Sequence, residues 1–405
     1  MSDESKMTAK AEATAEKKVP KSHAFPCSSC GNRMVYSPAS GNLLCPYCKS
    51  ESPIESRTVE APEYLYDPTS ETASAPNWEA EGESVLVCPA CGAETVSDAV
   101  DMTVACPFCG SHYVTEPAPA KPILRPETMV PHMLTREKAN ELFAKWVRRR
   151  YLAPRAFRRA NHNADMQGVY LPYFTYDTDL FTTYSGQGGR RRTVSYTVRV
   201  NGKTQRRTKT VIDWYPISGT HQLYLDDTPC CASLHADEKL LKKIEPFSTK
   251  VLKVYNPAYL AGFVAERYTL GLKQGFDRIR PLAESRMESA IKSSRGYDTY
   301  RGMRYGHEYR KITFKHILLP VWLSSYRYRE KAYSFMVNGE SGKVAGRAPL
   351  SALKIAMLVT GGIALFALLV YLLMLSGDSS LLISPPDVAA LPAPPTDVAG
   401  YLPSL

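Results

Sequence analysis

Two Cys-X2-Cys-X14-Cys-X2-Cys units near the N-terminus, a long stretch of mixed pattern between residues 120 and 350, and a 21-residue run without a charge near the C-terminus predict a multidomain chain. The fold class these observations point to is two small all-β zinc ribbons, an α+β domain with an antiparallel sheet, and one C-terminal transmembrane helix. With 405 residues, 44% of them hydrophobic, the chain can bury a sizeable core, which excludes a disordered protein. A net charge of +10 raises nucleic acid or an anionic membrane surface as a partner.

The first unit, CSSCGNRMVYSPASGNLLCPYC, places Cys27, Cys30, Cys45 and Cys48 in a ribbon expected over 23–50. The second, CPACGAETVSDAVDMTVACPFCG, places Cys88, Cys91, Cys106 and Cys109 in a ribbon over 85–115. A two-residue gap lets both thiolates of a knuckle reach one tetrahedral ion, and the spacer accommodates a hairpin that brings the second knuckle round. Gly31, Gly92 and Gly110 follow knuckle cysteines where the chain must turn with positive φ. Met34 to Tyr36 and Thr103 to Ala105 read as short strands with too few apolar side chains for a self-supporting core, so a metal must supply folding energy, on the order of 10 kcal/mol per site. Four cysteines leave no open coordination position, which argues for two structural Zn2+ and against catalytic zinc. Disulfides are the competing assignment, but residues 1–22 are polar and Lys- and Ala-rich, without the apolar run of a signal peptide, and thiols kept reduced favour metal.

Residues 51–84 hold nine acidic side chains against one basic, carry four prolines, and read as a semi-extended linker between the ribbons with YLYDP and Trp78 as candidate docking points. In the domain over 120–350, TREKANELFAKWVRRRYLAP opens with a capping Thr135 and sets Ala139, Leu142, Phe143, Trp146 and Val147 on one helical face. Tyr-, Thr- and Val-rich alternating segments follow as strands, with VRVNGKTQ a hairpin on an Asn-Gly turn. Helical patterns return at DEKLLKKI, PAYLAGFVAERYTLGL and LAESRMESAIKS, and KHILLPVWLSSYRYRE with AYSFMVNGESGKVAG closes the domain as strands around a second Asn-Gly hairpin.

The run IAMLVTGGIALFALLVYLLML, residues 355–375, is long enough as a helix (about 1.5 Å per residue) to cross a hydrocarbon core of about 30 Å. Lys343, Arg347 and Lys354 precede it, while the Pro/Ala-rich tail 376–405 has no Lys or Arg. The positive-inside rule then predicts a single-pass plasma-membrane protein with its N-terminal domains in the cytoplasm and its tail outside.

Arg148, Arg149, Arg150, Arg155, Arg158 and Arg159 form a basic cluster able to face anionic lipid, nucleic acid or only solvent. His162, His221, His235, His307 and His316 have no ligand or triad spacing, and Asp177, Asp179, Asp226 and Asp227 read as turn residues before they read as paired carboxylates. Cys230 and Cys231 are adjacent, point to opposite faces of a strand and read as small buried hydrophobes, although Cys231 with His235 would be the candidate nucleophile and base. The sequence predicts no enzyme and no small-molecule substrate.

The paired ribbons, WVRRRYLAP, VYLPYFTYDTDLFTTYSGQGG, YLAGFVAERY, LLPVWLSSYRY and FMVNGESGKVAG, spread over about 25–350, resemble a family of bacterial membrane-anchored proteins with TFIIB-type zinc ribbons, often labelled primosomal protein N-prime or superfamily II helicase-like. The helicase label does not fit, because NGESGKV has the wrong spacing for a phosphate-cradling loop and no hydroxyl residue after Lys343. The resemblance implies an adaptor or scaffold that recruits flotillin-type or phage-shock-type membrane factors. The alternative is a membrane-tethered zinc-ribbon protein that binds nucleic acid in replication or transcription.

Overall fold

A computed structural model describes residues 25–55, 62–68, 72–73, 77–78, 85–97, 103–114, 117–118, 123–160, 166–200, 202–248, 251–328 and 331–375. The expected N-terminal segment 1–22 and tail 376–405 lie outside the described residues. The chain divides into two compact units, one through Pro349 and one from Leu350.

The first unit is organised by three long strands. Gln167–Val200 pairs antiparallel with Lys203–Cys231 on one side and with Thr299–Tyr328 on the other. Val200 pairs with Lys203 at the end of the first pair, and Gly202 has φ 74°, the left-handed geometry that the Asn-Gly pattern predicts for its glycine. Lys331–Asn338 folds back on Thr299–Tyr328, and two short strands, Thr128–Met129 and Val264–Glu266, add in parallel, so the sheet is mixed and not purely antiparallel.

Central strands of this sheet are buried on both faces, in keeping with the near-continuous apolar and aromatic run VYLPYFTY at 169–176. On one face Val169, Leu171 and Tyr173 pack with Leu240, Leu241 and Ile244 of the helix Glu238–Ile244. On the other, Tyr170 packs with Phe143 and Val147 of the helix Arg136–Arg148, and Phe157 and Phe335 complete that layer. Farther along, the helix Leu272–Arg295 lays Phe276 and Ile279 against Phe174 and Tyr176. Thr135 caps the Arg136–Arg148 helix by accepting from the backbone N–H of Lys138, as its sequence signature predicts.

Three expectations give way. PAYLAGFVAERYTLGL is not one helix: Pro257–Leu260 forms a single 3-10 turn, Gly262 adopts φ 84°, and Val264–Glu266 continues as a strand. The left-handed glycine ends the helical geometry, and the sheet offers Val264–Glu266 hydrogen-bond partners on both sides, Val169–Tyr170 and Thr95–Ser97. The helix expected at LAESRMESAIKS instead spans Leu272–Arg295 and runs through Pro281. Pro281 sits on the exposed face, and burial of Phe276 and Ile279 before it outweighs a proline cost of about 3 kcal/mol. The second Asn-Gly hairpin is a longer loop: the last strand pair is Val337 with Val344, and the Asn338 carboxamide accepts from the N–H groups of Glu340 and Ser341 while donating to the Ile244 carbonyl.

The acidic segment is docked where it is described. Tyr64–Asp67 adds to the edge of Thr299–Tyr328 with Tyr66 buried, and Asn77–Trp78 pairs with Ile123–Leu124. The second unit contains the helix Ala352–Leu375, which has no buried residue, reaches a mean hydropathy of 2.5 over its most apolar 18 residues, and is long and apolar enough to cross a membrane.

Phe335 meets Phe143, Trp146 and Phe157 at ring distances of 4.8, 5.7 and 5.9 Å and is fully buried. Phe335→Ala is expected to destabilise the first unit by about 3–5 kcal/mol, read as a lower urea midpoint with unchanged m-value by tryptophan fluorescence.

Candidate metal centres

The two cysteine units fold the same way. In the first, the N–H of Gly31 donates to the Cys27 carbonyl and that of Lys49 to the Cys45 carbonyl, at 2.8 and 3.1 Å. In the second, Gly92 donates to Cys88 and Gly110 to Cys106, at 2.8 and 2.9 Å. Each knuckle therefore closes a tight turn whose final residue has positive φ: Gly31 73°, Gly92 77°, Gly110 71° and, in the fourth, Lys49 at 62°. Glycine adopts that geometry without steric cost, and Lys49 is held in it by the same turn bond.

These turns aim four sulfurs at one point. Sγ atoms of Cys27 and Cys48 lie 3.5 Å apart, as do those of Cys30 and Cys45; in the second unit Cys88 to Cys109 is 3.8 Å and Cys91 to Cys106 is 3.7 Å. All four sulfurs of each cluster lie within 4.8 Å of one another, and every cysteine is a free thiol. A tetrahedral ion with metal–sulfur bonds of about 2.3 Å sets its ligands about 3.8 Å apart, so each cluster can hold a metal ion in a site closed by four sulfurs.

A feature absent from the cysteine pattern completes each site. Ser50 stands two residues after Cys48, and its hydroxyl lies 3.0 Å from the Cys27 sulfur and 3.1 Å from that of Cys48. Ser111 stands two residues after Cys109 and lies 3.5 and 3.0 Å from Cys88 and Cys109. The Ser50 hydroxyl, with backbone N–H groups, brings the Cys27 thiol down to about 6. Burial raises the Cys88 thiol, but Ser111 and the N–H groups of Cys91 and Ala90 prevail and bring it to about 6. A metal ligand must be a thiolate, and these donors favour the charged form. The repeated C-X-S at the end of both units was the signal available in the sequence.

Neither ribbon stands apart from the sheet. In the first, the Tyr36 N–H donates to the Ala261 carbonyl and its hydroxyl to the His132 carbonyl, at 2.9 and 3.1 Å. His132 is wholly buried, its ring stacked 4.5 Å from Phe263, and burial holds it down to about 3, as neutral imidazole. In the second, Glu94–Ser97 pairs with Val264–Glu266 and so extends the large sheet. His235 seals this contact: Nδ1 lies 2.9 Å from the buried Glu266 carboxylate and Nε2 lies 3.1 Å from the Cys91 carbonyl. The Glu266 hydrogen bond raises the His235 pKa, which suits an imidazolium donating from both nitrogens.

The other sequence candidates separate. Arg148, Arg149, Arg150, Arg155 and Arg159 are exposed and Arg158 half-buried, at the end of the Arg136–Arg148 helix and on Arg155–Ala160, with the Arg150 guanidinium 4.2 Å over the Trp146 ring. Asp177, Asp226 and Asp227 converge, but the Lys315 ammonium lies among them, 2.8 Å from Asp227, 3.1 Å from Glu63 and 3.8 Å from Asp177. That cation neutralises the carboxylates where a metal would otherwise have to. Cys230 and Cys231 are both buried, and burial pushes both thiols up, which makes them poor nucleophiles. His162 lies outside the described residues.

Removing one hydroxyl should loosen one centre only. Ser111→Ala is expected to speed metal loss from the second cluster about 10-fold in a chelator competition, with the first cluster unaffected, and Ser50→Ala should do the reverse. His235→Ala should also weaken the second cluster selectively, because the Cys91 knuckle loses its link to Glu266; hydrogen exchange across 88–97 would report it.

A protein of Bacillus subtilis (strain 168), YdjG, described as uncharacterized, is 29% identical to this chain over 259 residues, which is 63% of this chain and 73% of that protein. No protein-family profile matches the chain, and no solved structure matches it.

Proposed function

We propose that this protein is a single-pass membrane adaptor whose two ribbons, each closed around a structural Zn2+, form a rigid platform for protein partners on the cytoplasmic side. The observation that carries this reading is the pairing on one chain of two four-sulfur clusters without an open position and a helix, Ala352–Leu375, with no buried residue and no charge from Ile355 onward. A closed sulfur cage supports structure, not turnover. Thiolates favour zinc over hard cations, and reduced cysteines fit a cytoplasmic placement. Lys343 and Arg347 before the helix, and Lys354 in its first turn, support the same orientation. Partners of the flotillin or phage-shock type follow from the family resemblance alone. Anionic lipid is the companion expected for the exposed arginines around 148–159.

Two ribbons on one chain, joined by a semi-extended acidic linker, would raise effective concentration for a partner. Their seating on opposite faces of one sheet supports a different benefit, a fixed spacing between two contact surfaces. Tyr47, at the tip of the first ribbon, is 73% exposed and offers an aromatic contact of the kind that anchors interfaces.

Purified protein should contain two zinc ions per chain, and washed envelopes should release it only with detergent. A photocrosslinker at Tyr47 in intact cells should capture a membrane-associated protein. Recovery of the chain in the soluble fraction would sink the anchor, and crosslinks from Tyr47 to nucleic acid in place of protein would sink the adaptor.

A further inference from the structure

The antiparallel pair Gln167–Val200 and Lys203–Cys231 runs beyond its neighbour. Thr299–Tyr328 stops opposite Gly189, whereas the pair continues for 11 more register positions, from Arg190 opposite Asp213 to Val200 opposite Lys203. At about 3.3 Å per residue this is a free two-stranded arm of roughly 35 Å. From Arg190 to Arg199 and from Lys203 to Thr210 every side chain is exposed except the half-buried Val194 and Val198.

Eight of the arm's 24 residues are Lys or Arg and one is Asp, so the arm's net charge is 8 − 1 = +7, against +10 for the whole chain. Asp213 is engaged by Arg192 at the base, and Arg190 lies over Tyr297. Arg199, Lys203, Arg206, Arg207 and Lys209 make no ion pair among the described residues. Register assigns the cations to both faces: Lys203, Arg207 and Lys209 lie on the face of Val194 and Tyr196, and Arg191, Arg199 and Arg206 on the face of Thr193, Ser195 and Thr197. The second face is thus a row of hydroxyls and guanidiniums, groups that contact phosphate oxygens.

We propose that this arm binds double-stranded DNA by entering the major groove. This goes beyond the adaptor reading and does not depend on it. A two-stranded β-ribbon matches the B-form major groove, about 12 Å wide, and the arm's length is about one turn of duplex. Cations on both faces suit a groove walled by phosphates on either side. A flat lipid headgroup layer engages one face, and a hairpin that inserts into lipid carries an apolar tip, whereas this tip reads Val200-Asn201-Gly202-Lys203. A protein interface would need buried aromatic anchors, and Tyr196 is the arm's sole aromatic. Guarding the open strand edges against aggregation requires a few charges of either sign, not a run of one sign.

The test uses the full chain in nanodiscs of phosphatidylcholine and a fluorescent 24-base-pair DNA duplex over a salt series. Binding should weaken linearly in log–log form with salt, and the variant R199Q/R206Q/R207Q/K209Q should lower that slope by about 3.6 and the affinity at low salt at least about 10-fold. Its melting temperature and metal content should match wild type, since all four side chains are exposed. R148Q/R149Q/R150Q should leave the slope unchanged. The proposal is overturned by no duplex binding at low salt, by binding that the arm variant does not weaken, or by arm-dependent preference for an RNA duplex, whose major groove is too narrow, or for phosphatidylglycerol vesicles over DNA.

Discussion

The architecture depends on ten residues, Pro257 to Glu266, that hold both metal centres to one sheet. The 3-10 turn Pro257–Leu260 and Gly262 present the Ala261 carbonyl to the Tyr36 N–H and bring Val35 against the Gly262 backbone, where an added Cβ would come within 3.1 Å of the Val35 side chain. Four residues later the same segment is a strand, hydrogen-bonded on one side to Val169–Tyr170 and on the other to Thr95–Ser97. A continuous helix there would satisfy its own backbone and leave the Tyr36 N–H and the edge of Glu94–Ser97 without these partners. The change from turn to strand lets a four-cysteine module of few apolar residues pack on a larger core.

That packing ties the two cysteine clusters to the fold of the sheet. Cys88, Ala93, Cys106 and Phe108 belong to the same buried cluster as Leu171, Leu240 and Ile317, and Tyr36 to the cluster of Tyr170 and Phe143. An ion in either cluster would need the knuckle geometry, which is set by turn bonds and left-handed residues, and the sheet faces need the ribbons to exclude water. Ser50 and Ser111 extend the linkage to chemistry, since each favours the thiolate form that the ion requires. The second ribbon is more sheltered: Cys91 and Cys109 are half-buried where Cys30 and Cys48 are exposed.

Local rules read the sequence well wherever local geometry was decisive. Knuckle spacing, the Thr135 cap, the left-handed Gly202 and the apolar run 355–375 each follow from a few adjacent residues. Readings failed where distant partners decided. Apolar spacing in PAYLAGFVAERY suits a helix until the sheet claims Val264–Glu266, and Pro281 stops a helix on paper that Phe276 and Ile279 sustain in the core. The attachment of the ribbons left no trace in composition, because an acidic, proline-bearing linker looks the same whether Tyr66 is free or buried. His235 was singled out as a base for Cys231, yet its ring turns to Glu266 and the Cys91 carbonyl, a pairing set by long-range topology.

Charge distribution carries the last step. Most of the net positive charge lies on the arm 190–213, and the exposed arginines near 148–159 lie on helices that pack on the sheet, so the two basic surfaces are built on different supports. Arginines on a short helix beside Trp146 are held close to the body, and they can meet only a surface that approaches it. Cations on a free ribbon reach about 35 Å outward and can enter a groove. The strands that form this arm are the same strands that, at their other end, bury Tyr170, Tyr173 and Tyr176 under the ribbons and helices. A continuous hydrogen-bond ladder runs from that core to the tip, broken only by the bulge between Tyr176 and Thr178, so the arm projects as a stiff extension of the sheet and not as a loop.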